Sequence, residues 1–149
     1  NGFNIRDDAT ESFMQADHVA GMCRVAAELC LLETGDVVHL FYGVPEGVPA
    51  RFYSLRAPGG FLLSAERRIA AVDYVAVQAT RDGTLNLARP WPGPAVVRID
   101  GREGSLPVDE GETGAGVVRL DLAAGQTATL FAQGRPPETL SREGFALQP

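Results

Sequence analysis

From residue 16 to residue 32 the apolar side chains return every three or four positions. Val19, Met22, Cys23, Ala26, Leu29 and Cys30 make one stripe. That period is helical and predicts one amphipathic helix, with Asp17 as its N-cap and Gly35 as its C′ stop. After Gly35 the period is lost. Eight short runs follow at 37–41, 51–56, 60–66, 72–79, 84–88, 95–100, 117–122 and 127–132. Several alternate, as Val75, Val77 and Ala79 do against Ala76 and Gln78. Turn residues separate them: Pro58-Gly59-Gly60, Asp82-Gly83, the prolines from 90 to 94, Asp100-Gly101 and Gly125. Asp82-Gly83 lies between two such runs and predicts a hairpin. Many short strands without intervening helices predict a mainly β fold. The expectation is an antiparallel β-sandwich of about eight short strands preceded by one amphipathic α-helix. The acidic, glycine-rich stretch 109–116 reads as a loop, and residues 135–149 as an irregular tail.

A lone amphipathic helix has to hide its apolar face. It either lies on the sandwich or is the last helix of a larger helical domain, and the second is the expectation here. The chain opens at Asn1 without an initiator methionine or signal peptide, so its start reads as an interior point of a longer polypeptide. Residues 1–35 would then be the end of a helical domain, 36–134 a β-sandwich domain and 135–149 its tail.

Charge and soft ligands narrow the chemistry. The 149 residues carry 13 basic and 19 acidic side chains, a formal charge of −6. An acidic chain is a poor partner for nucleic acid or an anionic membrane, both of which need clustered positive charge, and no stretch approaches the ~20 apolar residues of a membrane span. In a helix, Cys23 and Cys30 would be ~10 Å apart along the axis, too far for a disulfide, and their shared face predicts small core residues. Together with His18 and His39 they make no zinc spacing, and no serine sits in a nucleophile elbow. The expectation is no cofactor and no metal.

Three ordered motifs carry a resemblance. Ala26-Ala27-Glu28-Leu29-Cys30-Leu31-Leu32 is followed by Val38-His39-Leu40-Phe41 and Val44-Pro45, and then by Leu55-Arg56-Ala57-Pro58-Gly59-Gly60-Phe61. The order and separations resemble the end of the catalytic domain in family-95-type glycoside hydrolases, the α-L-fucosidase group. The match runs without a gap from Met14 to Pro45 and more loosely to Phe131. It implies an (α/α)₆ barrel whose final helix leads into a C-terminal β-sandwich. The barrel body and general acid would lie upstream on the same polypeptide, in a secreted or periplasmic enzyme.

The resemblance also places Asp17. The family opens this helix with a short F-Q-I-D motif whose aspartate helps activate water, and Met14-Gln15-Ala16-Asp17 stands at that distance before Glu28. An inverting glycosidase needs one carboxyl group to protonate the leaving oxygen and a second, roughly 6.5–9.5 Å away, to activate water. Asp17 is therefore the candidate catalytic residue, with the helix cap as its other reading. Where the family continues with glycine and asparagine, this chain has His18 and Val19. Glu28 reads as structural and His39 as a half-buried strand histidine. Trp91, in Pro90-Trp91-Pro92-Gly93, is the candidate carbohydrate-binding residue, because an exposed indole can stack on a pyranose. Its other reading is a packing anchor at a strand corner. Tyr42, Tyr53 and Phe61 read as core or interface. The carboxylates Asp109, Glu110 and Glu112 lack an EF-hand order and read as a solvated loop.

The expected function is an accessory β-sandwich fragment of a glycoside hydrolase acting on α-linked sugars, inactive alone and prone to self-association through the helix face. A non-catalytic carbohydrate-binding module and a structural interaction domain are the alternatives.

Overall fold

A computed structural model of the chain describes residues 16–69, 71–106, 108, 109 and 116–137, with backbone alone at 16–19, 105, 106, 108 and 109. Helix α1 (Ala16–Cys30) comes first and eleven strands follow among the described residues: β1 (Leu31–Thr34), β2 (Val37–Leu40), β3 (Ala50–Ala57), β4 (Phe61–Arg67), β5 (Val72–Ala79), β6 (Gly83–Ala88), β7 (Ala95–Ile99), β8 (Arg102–Leu106), β9 (Val108–Asp109), β10 (Val117–Leu122) and β11 (Thr127–Ala132). All eight runs anticipated from the pattern are strands, each end within one residue of its expected place.

Two sheets form, in the orders β1-β2-β6-β10-β9 and β3-β4-β5-β11-β7-β8. The six-stranded sheet is antiparallel throughout. The five-stranded sheet has one parallel pair, β2 with β6, where Val38 stands opposite Leu87. Period-two alternation supplies the core between them. Leu63, Ala65, Val75, Val77, Val97 and Leu130 point inward from one sheet, and Val38, Leu85, Leu87, Val118, Leu120 and Leu122 from the other, all in one buried cluster. This is the mainly β sandwich, with one helix before it.

Three strands exceed the expectation. The helix stops at Cys30, and Leu31–Thr34 turns back on β2 with Leu31 opposite Leu40 and Thr34 opposite Val37. Gly35 is therefore no helix stop. It is the first residue of the two-residue turn, at φ 66°, with Asp36 outside the left-handed region, which is the form that asks for glycine at its first position. Strand β8 pairs with β7, with Ile99 opposite Arg102. The turn between them, Asp100-Gly101, has both residues at positive φ, 46° and 84°. It is the hairpin turn that Asp-Gly favours.

The other Asp-Gly pair behaves differently. Asp82-Gly83 joins β5 in one sheet to β6 in the other, so it makes no hairpin. The Asp82 Oδ1 instead accepts the Ala124 N–H at 2.7 Å and ties down the β10–β11 turn. The turn type follows from which strands find each other, and β5 is already paired on both sides by β4 and β11.

Candidate functional site

Two regions carry chemistry: the base of the helix and a cleft beside Trp91. At the helix base the polypeptide doubles back through residues 41–48. The Phe41 N–H donates to the Cys30 carbonyl at 2.7 Å, and the Gly43 N–H to the Leu29 carbonyl at 3.2 Å. Both acceptors belong to the last turn of α1, whose carbonyls have no partner within the helix. Gly43 approaches so closely that a Cβ would stand 2.4 Å from Leu29 Cδ2 and 3.2 Å from Leu29 Cα. Phe41 holds φ 55°, a left-handed conformation that costs a bulky residue on the order of 1–2 kcal/mol. What holds it there is packing: its ring lies 5.3 Å from that of Phe52 and 5.3 Å beneath the Arg67 guanidinium.

Arg67, the last residue of β4, organises the loop. Its Nη groups donate to the carbonyls of Val44 at 3.3 and 3.4 Å, Pro45 at 2.8 Å and Val48 at 2.8 Å. Nε is buried without a partner among the described residues. One planar guanidinium thus satisfies three carbonyls at once through a pre-organised fork of donors. Burial pushes the Cys30 thiol above its usual range, partly offset by the Arg67 charge.

Above this bracket the apolar stripe is uncovered. Met22 is 62% exposed, Val25 57% and Leu29 42%, with Tyr42 at 70% beside the helix base. Cys23 is also exposed and Cys30 half-buried, both as free thiols, so Cys23 is not the core residue its stripe position predicts. A stripe marks the face a helix can bury, whereas burial needs a neighbour.

The other named residues fall as follows. At Asp17 the backbone is helical, and its side chain lies outside the described residues. Glu28 is on the open side of the helix and pairs with Arg24 at 2.8 Å, an exposed i,i+4 pair that contributes little to stability; that contact raises the Arg24 pKa. Glu28 therefore holds an arginine, but at the surface. His39 is half-buried on β2, with Nε2 2.7 Å from the Thr34 Oγ1 and its ring edge-on to Tyr42 at 5.7 Å. Phe61 is fully buried, and Tyr53, like Tyr42, is exposed rather than core. The Gly59-Gly60 pair of the third motif forms the β3–β4 turn at φ 78° and 87°, where a Cβ on Gly60 would meet Arg81 Cγ at 2.6 Å. Asp109 ends β9, and Glu110 and Glu112 lie outside the described residues. Among the described residues no group of three or more His, Cys, Asp or Glu could hold a metal ion.

Trp91 is 5% exposed and belongs to the core cluster. Its ring is used in packing at the corner after β6 and presents no open face for a sugar to stack on. Its buried Nε1–H has no partner among the described residues. One side of the residue walls a cleft of about 640 Å³ with Val72, Pro92, Arg68, Asp73 and Arg135. Arg68 Nε forms an ion pair with Asp73 Oδ2 at 2.6 Å and stands 3.8 Å from Glu66 Oε1.

On the sheet surface nearby, Arg51, Glu66 and Tyr74 lie in register across β3, β4 and β5. Burial raises the Tyr74 pKa, with smaller contributions from the Tyr53 and Glu66 charges and an opposing one from Arg51.

Periodicity could not find Arg67, Arg68, Asp73 or Arg135, because each is a polar residue at the end of a strand or in a turn. The only local signal was the placement of Arg67-Arg68 where an alternating run stops. No protein-family model and no curated protein matches this chain, and among the described residues no helix is long and apolar enough to cross a membrane.

Proposed function

We propose that this chain is the closing helix and C-terminal β-sandwich of a glycoside hydrolase acting on α-linked sugars, with the helical barrel of the same polypeptide as its partner. The observation that carries the reading is the helix: a stripe of Met22, Val25 and Leu29 stands uncovered, while its last turn is bracketed to the sandwich by Phe41, Gly43 and Arg67. A helix fixed at its base with its apolar face outward fits a wall element waiting for neighbours. The order of motifs from Met14 to Phe61 points to the fucosidase-like group as the kind of barrel.

In that setting Asp17, in the first described turn of α1, would activate water while an upstream carboxylic acid protonates the leaving oxygen. The sandwich is a buttress, and one carboxylate without its acid performs no two-group reaction. The isolated chain therefore gives no cleavage of aryl α-glycosides, and measurable turnover by it alone overturns the reading. The decisive experiment is the sequence of the natural reading frame ahead of Asn1. A long helical region containing an acidic residue supports the proposal, and a frame that opens at Asn1 or continues into an unrelated fold refutes it.

A further inference from the structure

We propose that the cleft beside Trp91 binds a small hydroxylated carboxylate of the hexuronic-acid type. The proposal uses neither the helix nor Asp17, so it stands or falls apart from the barrel reading. The cleft encloses about 640 Å³, within the roughly 300–1,000 Å³ usual for ligand sites. It lies where the β4–β5 turn, the loop after β6 and the segment after β11 converge. Its walls of Val72, Trp91, Pro92, Pro136 and Pro137 are apolar and have few rotatable bonds, so ordering them around a ligand costs little entropy.

Three charged side chains are set into those walls: Arg68, Asp73 and Arg135. Arg68 contacts Asp73 Oδ2 and Glu66 Oε1 through Nε, and among the described residues the hydrogens of both Nη groups are left for a ligand. Asp73 keeps Oδ1 as an acceptor. A hydroxyl both donates and accepts, so this guanidinium–carboxylate pair matches neighbouring hydroxyls on a sugar ring. Arg135 has a different place. The carboxylates at the rim engage Arg68, and the Arg135 side chain forms no hydrogen bond or ion pair among the described residues. Its planar fork of donors suits a carboxylate. An ion pair suited to hydroxyls, a second guanidinium suited to a carboxylate and apolar residues lining the same cleft match a sugar acid better than a neutral hexose or a bare anion.

Trp91 is the only tryptophan, so its fluorescence and its single indole N–H resonance report on this cleft. The whole 149-residue chain is titrated at constant ionic strength with sodium galacturonate, with galactose and with sodium acetate. The expected result is a saturable change with galacturonate and binding at least about tenfold weaker for the other two. Arg135→Gln should weaken galacturonate binding by about tenfold, Arg135→Lys should keep part of it, and Arg119→Gln on the other sheet should leave it unchanged. Circular dichroism confirms that each variant is folded. No saturable response to galacturonate overturns the proposal. So does equal binding of acetate, which would mark a simple anion site, equal binding of galactose, or an Arg135→Gln variant that binds like the parent.

Discussion

Replacing Arg67 with methionine tests whether one guanidinium holds the helix to the sandwich. Methionine keeps an unbranched apolar stem over Phe41 and removes every donor. The Val44 carbonyl loses a part-buried, charge-assisted bond, while those of Pro45 and Val48 are exposed and can turn to water. A hydrogen bond to a charged group contributes about 1.5–3 kcal/mol, an exposed one less, and losing the unpartnered Nε–H gives some of this back. The net destabilisation worked from these contacts is about 2 kcal/mol, a fall in Tm of roughly 6 °C at this chain length. The lysine variant, able to reach one or two of the three carbonyls, should lose about half as much. Arg68→Met is the control, since it removes an exposed pair worth less than about 1 kcal/mol. Urea denaturation at constant m gives the values, and hydrogen exchange gives the location. The amides of residues 29–44 should exchange faster in Arg67→Met while the sheet amides shift only with global stability. If Arg67→Met proves no less stable than Arg68→Met, or its helix base is as protected as the parent's, the bracket is held by something other than Arg67.

Other expectations follow from the same contacts. The uncovered helix face should make the parent self-associate and bind hydrophobic dye, and Met22→Glu with Val25→Glu should abolish both in analytical ultracentrifugation and fluorescence. Each substitution should change stability by under about 0.5 kcal/mol, because both sites are more than half exposed. A double variant that associates like the parent would move the sticky surface elsewhere. Thiol titration should show Cys23 reacting quickly and Cys30 slowly, because Cys30 is half-buried with its thiol held protonated; Cys23→Ser should remove the fast phase. Tyr74 has a folded pKa raised above its unfolded value, so its contribution to stability is complete below the ordinary phenol pKa and is lost as pH climbs through the raised one. Absorbance titration should show a late tyrosinate component that Tyr74→Phe deletes and Tyr53→Phe moves to lower pH.

How much of this was legible beforehand depends on the range of the signal. The interior of the sandwich was readable because alternation is local: Leu85 and Leu87, or Val118, Leu120 and Leu122, state which face is buried without naming a neighbour. The end of the helix was not. Leu31 and Leu32 continue a helical stripe as well as they begin a strand, and only pairing with His39 and Leu40 decides between the two. Arg102–Leu106 has a glycine and little β character. It is a strand because the Asp100-Gly101 turn delivers it to the open edge of β7. The two Asp-Gly pairs are alike in sequence and opposite in outcome, since one joins partners and the other separates them.

The sequence alone therefore determined one helix and eight of the strands with their buried faces, which rest on period. Tertiary structure alone decided the parallel β2–β6 pair, the three carbonyls gathered by Arg67, the burial of Trp91 and the exposure of the helix stripe. Each of these joins residues distant along the chain, or depends on whether a neighbour is present, and a local pattern records what a side chain can bury but not what arrives to bury it.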